Sequence, residues 1–205
     1  GSVFVMLRPR GSRAPVERVA RPAACEPVAG PFALTLPDGT KTTIAKPVSW
    51  TELSDDFRYF SGTAVCEFAF KLPPGRASGR RVTLDFGMVK NVAEVAVNGK
   101  NLGVLWKPPF EVDVTDACAD LADGAEARVV AKVANLWPNR LIGDDFKPDD
   151  CKWKPGGGIV EIPDWVKRGE KSPTGRTTFT TWKHWRKTDE PLPSGILGPV
   201  QIRVD

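Results

Sequence analysis

Much of what metal centres, nucleophilic catalysis and membrane passage require is scarce in this sequence. Its 205 residues include one histidine, His184, one tyrosine and two methionines. A single imidazole cannot build a histidine metal site, and no serine or cysteine stands near it in sequence as a partner nucleophile. The four cysteines, Cys25, Cys66, Cys118 and Cys151, lack C-x-x-C spacing, which argues against a zinc ribbon. No stretch approaches the roughly 20 uncharged apolar residues needed to cross a bilayer, so no membrane partner is expected. The opening Ser2–Leu7 is too short for a signal-peptide core and has no positive region before it. A net charge of +4 without a concentrated basic stripe disfavours nucleic acid as a partner. Helical periodicity is nearly missing, apart from one turn expected after Thr115 as a cap.

Turns and alternation are abundant. Nineteen prolines and nineteen glycines suit short strands joined by irregular loops. Phe32, Leu34 and Leu36 alternate before Pro37-Asp38-Gly39-Thr40, and Cys66, Phe68, Phe70 and Leu72 before Pro73-Pro74. Val82, Leu84 and Phe86 stop at Gly87. Val95 and Val97 lead into Asn98-Gly99, and Leu102, Val104 and Trp106 lead away from it, a strong hairpin signal because both turn residues must take positive φ. Further alternating runs are Phe110–Val114, Ala127–Val133, Phe179–Trp185 and Val200–Val204. Period-two runs between frequent turns predict an all-β fold, an antiparallel β-sandwich. Residues 1–30 read as a short strand and linker, and residues 31–205 as one sandwich domain. The cysteines leave two readings: two disulfides in an exporting compartment, or core thiols, as the phase of Cys66 with Phe68 suggests.

The segment from 136 to about 177 breaks the pattern, with five prolines, six glycines and three tryptophans. It reads as a long irregular loop insertion, and loops of this length in compact domains are usually functional or disordered. Its tryptophans argue for order.

Several stretches resemble a known family. VAEVAVNGKNLGVLWKPPFEVDVT at 92–115 resembles the sugar-binding β-sandwich of family 2 glycoside hydrolases. NLWPNRLIGD at 135–144, and FTTWKHW at 179–185 with LPSGILGPV at 192–200, are similar to the C-terminal region of family 106 glycoside hydrolases, the α-L-rhamnosidases. YFSGTAVCEFAF at 59–70 and the opening VFVMLR fit the same region. The resemblance implies a galactose-binding-like jelly roll, a bacterial parent enzyme that is secreted or periplasmic, and a covalently linked catalytic barrel carrying the catalytic glutamates. No position here matches those glutamates, so no catalytic residue is carried over. A barrel of about 250 residues has no room in this chain, and the spacing of Glu94, Glu111 and Glu161 suggests no catalytic pair. The expected function is a carbohydrate-binding module for a plant or algal polysaccharide or oligosaccharide; the alternative is an accessory domain packed on the barrel.

A sugar site wants an aromatic ring to stack on, with polar groups around it. Trp182, Lys183, His184, Trp185 and Arg186 supply these types. As a strand, Trp182 and His184 face one way and Lys183 and Trp185 the other. The competing reading packs both tryptophans and leaves Lys183 and Arg186 as a solvated face. Trp137 and Arg140 form a second candidate; the preferred reading there is a structural corner, with Asn135 and Asn139 satisfying loop backbone and Arg140 pairing with an Asp. Trp106 reads as core and Trp50 as core or surface. Asp144, Asp145, Asp149 and Asp150 are weak calcium candidates against the simpler reading of a solvated acidic turn; no other metal and no cofactor is expected. Gly156-Gly157-Gly158 reads as a hinge or tight bend.

Overall fold

The computed structural model describes residues 24–74 and 80–204. Twelve short strands occur among them: β1 Ala24–Pro27, β2 Phe32–Thr35, β3 Lys41–Ile44, β4 Thr63–Lys71, β5 Val82–Asp85, β6 Met88–Lys90, β7 Val92–Val97, β8 Lys100–Leu105, β9 Glu111–Asp113, β10 Glu126–Ala134, β11 Gly195–Gly198 and β12 Gln201–Val204. They form a six-stranded sheet in the order β3-β2-β4-β10-β7-β8, a four-stranded sheet β1-β12-β5-β9, and a small β11-β6 pair. Every strand pairing is antiparallel. Three short helices are α1 Asp55–Arg58, α2 Pro138–Asp144 and α3 Asp164–Lys167. None of the described helices is long and apolar enough to cross a membrane.

Alternation builds the core. Ala64, Cys66, Phe68 and Phe70 of β4 point inward beside Ala127, Val129, Ala131 and Val133 of β10, its neighbour over nine paired positions. Val82, Leu84 and Phe86 meet them from the four-stranded sheet, and Phe68 contacts Phe86 edge-on with ring centroids 6.1 Å apart. This interleaving of two inner faces is what defines a sandwich. The hairpin turn at Asn98 and Gly99 has φ of 50° and 81°, as its two-residue loop requires. Trp50, ambiguous in sequence, is buried.

Three expectations are corrected. The β7–β8 register shifts between Val95 and Ala96, which pair with Gly103 and Asn101, so Leu102 is an extra residue. That bulge reverses the phase beyond it: Leu105 packs on the core, while Val104 points outward and Trp106, expected inside, is 68% exposed. Thr115 does not cap the turn after it; its hydroxyl accepts from Val82 N at 2.9 Å instead. Of the two readings of the cysteines, the thiol reading holds: none is bridged, Cys66 is buried, as its phase with Phe68 suggested, and so is Cys118. Phe179–Trp185 forms no strand, so the excursion runs on from the end of β10 to β11. At the N-terminus the strand expected at Val3–Leu7 lies outside the described residues, and within the segment read as linker β1 pairs with β12.

Candidate functional site

The insertion is tied to the sandwich by two side-chain amides, the buried Asn139 and the half-buried Asn135. Asn139, in α2, donates to Leu192 O at 2.8 Å and to Ser194 Oγ at 2.9 Å, and its Oδ1 accepts from Leu192 N at 2.7 Å. Asn135 bridges Phe60 O and Gly62 N in the same manner. Ser61 Oγ donates to Leu136 O at 2.8 Å and accepts from Arg140 N at 3.2 Å, fixing the first turn of α2. Asn135 and Asn139 thus do what a structural corner needs. Arg140 does not make the ion pair expected of it: among the described residues its guanidinium has no ion-pair or hydrogen-bond partner, and Asp38 feels only its charge.

The four aspartates fold the insertion onto itself. Asp144 is buried and accepts from Thr177 N, Thr178 N and Thr178 Oγ1 at 2.8–3.0 Å. Lys183 Nζ lies 2.9 Å from Asp145 and 3.0 Å from Asp149, and Arg176 lies 2.7 Å from Asp149 while donating to Lys147 O and Pro148 O. Asp150 accepts from Ser172 Oγ at 2.8 Å. These carboxylates meet ammonium, guanidinium, hydroxyl and amide donors, and among the described residues no group of three or more His, Cys, Asp or Glu is arranged to hold a metal ion. Burial works against the charge on Asp145 and Asp149, but the Lys183 and Arg176 cations and the hydrogen bonds outweigh it and hold both below the usual carboxylate range. Burial likewise opposes the Lys183 charge, and its two carboxylates still raise it.

Lys183 is therefore structural: its side chain is 16% exposed, locked between two aspartates and 5.8 Å over the Trp153 ring. The ammonium expected to meet a ligand is thus engaged by two carboxylates. Trp182 is the opposite case. Gly157 and Gly158 lie against its indole, so that a methyl group at either α-carbon would sit 3.7 or 3.5 Å from it. Lys183 N donates to Gly157 O at 2.8 Å, Ile159 N to Thr181 O at 3.1 Å, and Gly158 bridges Trp182 across the strip. Gly157 has a φ of 98°, a conformation that only glycine adopts readily. The bend read as a hinge is thus the bed of the indole, which is 56% exposed.

Around Trp182, the His184 imidazole is exposed and stands edge-on to the half-buried Trp185 at 5.4 Å; Arg186 and Lys187 are exposed. The in-and-out alternation expected along 182–185 is present, although without a strand to enforce it. The crevice between Trp182, Trp185 and the Asp144–Asp145 turn holds only about 20 Å³. That is far below the roughly 300–1,000 Å³ of small-molecule sites, so a sugar lies on this face rather than in it.

Trp137 and Arg140 do not join this face. They line a second, open cleft of about 630 Å³, which meets the first at Asp144 and Thr178 and on which α1 and its C-cap also place Asp56 and Tyr59. Sequence reasoning missed Tyr59, which lies far from Trp137 along the chain. Its signal was its uniqueness: the sole tyrosine follows two aspartates and an arginine.

Comparison with known proteins places the chain. No family model matches it. It is 47% identical over 158 residues to the "Putative beta-glucuronidase" of Formosa agariphila, covering 76% of this chain and 13% of that protein. A rhamnosidase structure from Novosphingobium sp. PP1Y matches over 94% of this chain and 16% of its own, with 24% identity and a TM-score of 0.68. The Faecalibacterium prausnitzii beta-glucuronidase matches over 94% of this chain and 33% of its own, with 22% identity and a TM-score of 0.54. The chain is related to glycoside hydrolases, shares the fold of part of them, and spans a small fraction of their length.

Proposed function

We propose that the chain is a non-catalytic carbohydrate-binding module of a multidomain rhamnosidase-like glycoside hydrolase, secreted or periplasmic, and that it holds an acidic or rhamnose-containing plant or algal polysaccharide on Trp182. One observation carries this reading. The indole packs against Gly157 and Gly158, whose strip is pinned by backbone hydrogen bonds, and remains 56% exposed. A platform already held in place loses little freedom when a ligand arrives. Sugar C–H faces stack on such a ring, while the exposed Arg186 and Lys187 reach uronate or sulfate groups by charge-assisted hydrogen bonds. No cofactor or metal enters this chemistry.

Glycoside hydrolysis needs two carboxyl groups about 5–10 Å apart across a bound sugar. Glu94 is held by Asn101 and Lys132, and Glu111 by Arg203, which suits a domain that leaves hydrolysis to a linked barrel. One stacked ring adds on the order of 1 kcal/mol beyond its buried area, so affinity is expected between about millimolar and tens of micromolar. Affinity electrophoresis against acidic and neutral plant and algal polysaccharides tests the reading. Retardation by acidic chains that fades with added salt is expected; no retardation by any chain removes it.

Val104 and Trp106 favour a second reading, an accessory domain that packs on the catalytic barrel. Both point outward at β8, an edge strand of the six-stranded sheet, and Lys107 lies 5.3 Å over the Trp106 ring.

A further inference from the structure

The cleft on the other flank of α2 has a different chemistry from the Trp182 face. It is bounded by the Pro37–Asp38 turn, by α1 and by α2, and about 630 Å³ lies within the range of small-molecule sites, about 300–1,000 Å³. Trp137 stands at it, 67% exposed, and Tyr59 is half-buried in its wall, set against Phe146 with centroids 5.6 Å apart. Gly143 lets the two walls meet, since a methyl group there would fall 2.5 Å from Tyr59 Cβ.

The charges sort cleanly. Asp55 pairs with Arg58 at 3.4 Å, and the buried Asp144 lies 3.8 Å from Lys147. These pairs cancel, leaving Asp38 and Asp56 against the guanidinium of the half-buried Arg140, which has no partner among the described residues. One surplus negative charge repels a uronate or sulfate. The same three groups offer both donors and acceptors beside an aromatic ring, which is what vicinal hydroxyls on a neutral ring require.

We propose that this cleft is a second sugar site, selective for a neutral pyranose, with Trp137 as the stacking ring and Arg140, Asp38 and Asp56 as its hydrogen-bonding partners. The proposal shares with the function above only the premise that the chain binds carbohydrate; its residues and its ligand class are separate.

The test uses the 205-residue chain and the methyl glycosides of rhamnose, xylose, galactose and glucuronic acid. Indole N–H resonances are followed by two-dimensional NMR and assigned by single tryptophan replacements. The Trp137 resonance should shift with at least one neutral glycoside, saturating at about millimolar concentration, and respond less to the glucuronide. Followed by backbone amide shifts around the cleft, since one variant lacks the Trp137 indole, Trp137→Ala and Arg140→Ala should each weaken that binding about tenfold or more, with Trp182→Ala leaving it unchanged. Asp56→Ala, at an exposed position, gives the same readout if either variant fails to fold. Neutral-glycoside binding unchanged in the folded variants, a glucuronide bound more tightly than the neutral sugars, or no shift of Trp137 with any of them overturns the proposal. Loss of acidic-polysaccharide binding in Trp182→Ala bears only on the other face, so the two readings fail separately.

Discussion

At Gly143 two residue-scale preferences oppose each other. Alanine is favoured over glycine inside a helix by about 1 kcal/mol, but here the added methyl would lie 2.5 Å from Tyr59 Cβ and 2.8 Å from its Cγ. Forcing a methyl into a packed contact costs about 1–3 kcal/mol. Gly143→Ala should therefore destabilise the protein, by about 1 kcal/mol net, and lower its urea midpoint; a raised midpoint would mean that α1 and α2 part freely. Cys66 is the other residue whose surroundings decide its chemistry. Burial, helped by the neighbouring Glu67 charge, pushes its thiol up to about 12. In native protein at pH 8, iodoacetamide should label the exposed Cys25 and leave Cys66 and Cys118 untouched until denaturant is added. Rapid labelling of Cys66 in the native state would show that β4 is not packed as described. The position of Cys66 was legible from its phase with Phe68 and Phe70, because one strand face is enough to fix burial. That of Gly143 was not, because Tyr59 approaches it from another helix.

The insertion is the element that period-two reading cannot reach. Its order comes from charge pairs and amides between residues far apart, such as Asp145 with Lys183 and Asn139 with Leu192, and local patterning carries no trace of these partners. The same limit explains Trp106: one bulged residue at Leu102 moved everything after it to the opposite face. The hairpin itself was legible because Asn98-Gly99 carries its own turn geometry. The charge network also makes a pH prediction. Asp145 and Asp149 are held below their usual value of 3.8, so their stabilisation is complete above that pH and lost as pH falls through the lowered values. Lys183 is raised above 10.5, so its share is complete below that pH and lost as pH rises through the raised value. The urea midpoint of unfolding should stay level between those limits and fall outside them. A fall near neutral pH would contradict the network, and Asp145→Asn should shrink the acid fall.

At the scale of the whole molecule, two sheets supply the core, and the insertion carries the exposed Trp137 and Trp182. Alternation made the sandwich legible in the amino-acid order itself, since each strand declares its inner face. The separation of Trp137 and Arg140 from Trp182 was not legible, because α2 stands between two surfaces that the chain order runs together. The kinship with glycoside hydrolases extends over a small fraction of their length, which suits a domain that presents surfaces to sugar while hydrolysis lies elsewhere. The central claim is that Trp182, bedded on Gly157 and Gly158, is the platform for the polysaccharide. Calorimetric titration of an acidic polysaccharide into wild type and Trp182→Ala tests it most directly. The account predicts at least about a tenfold loss of affinity, about 1.4 kcal/mol, with an unchanged circular dichroism spectrum to show that the fold persists. Wild-type affinity in a folded Trp182→Ala protein would contradict it.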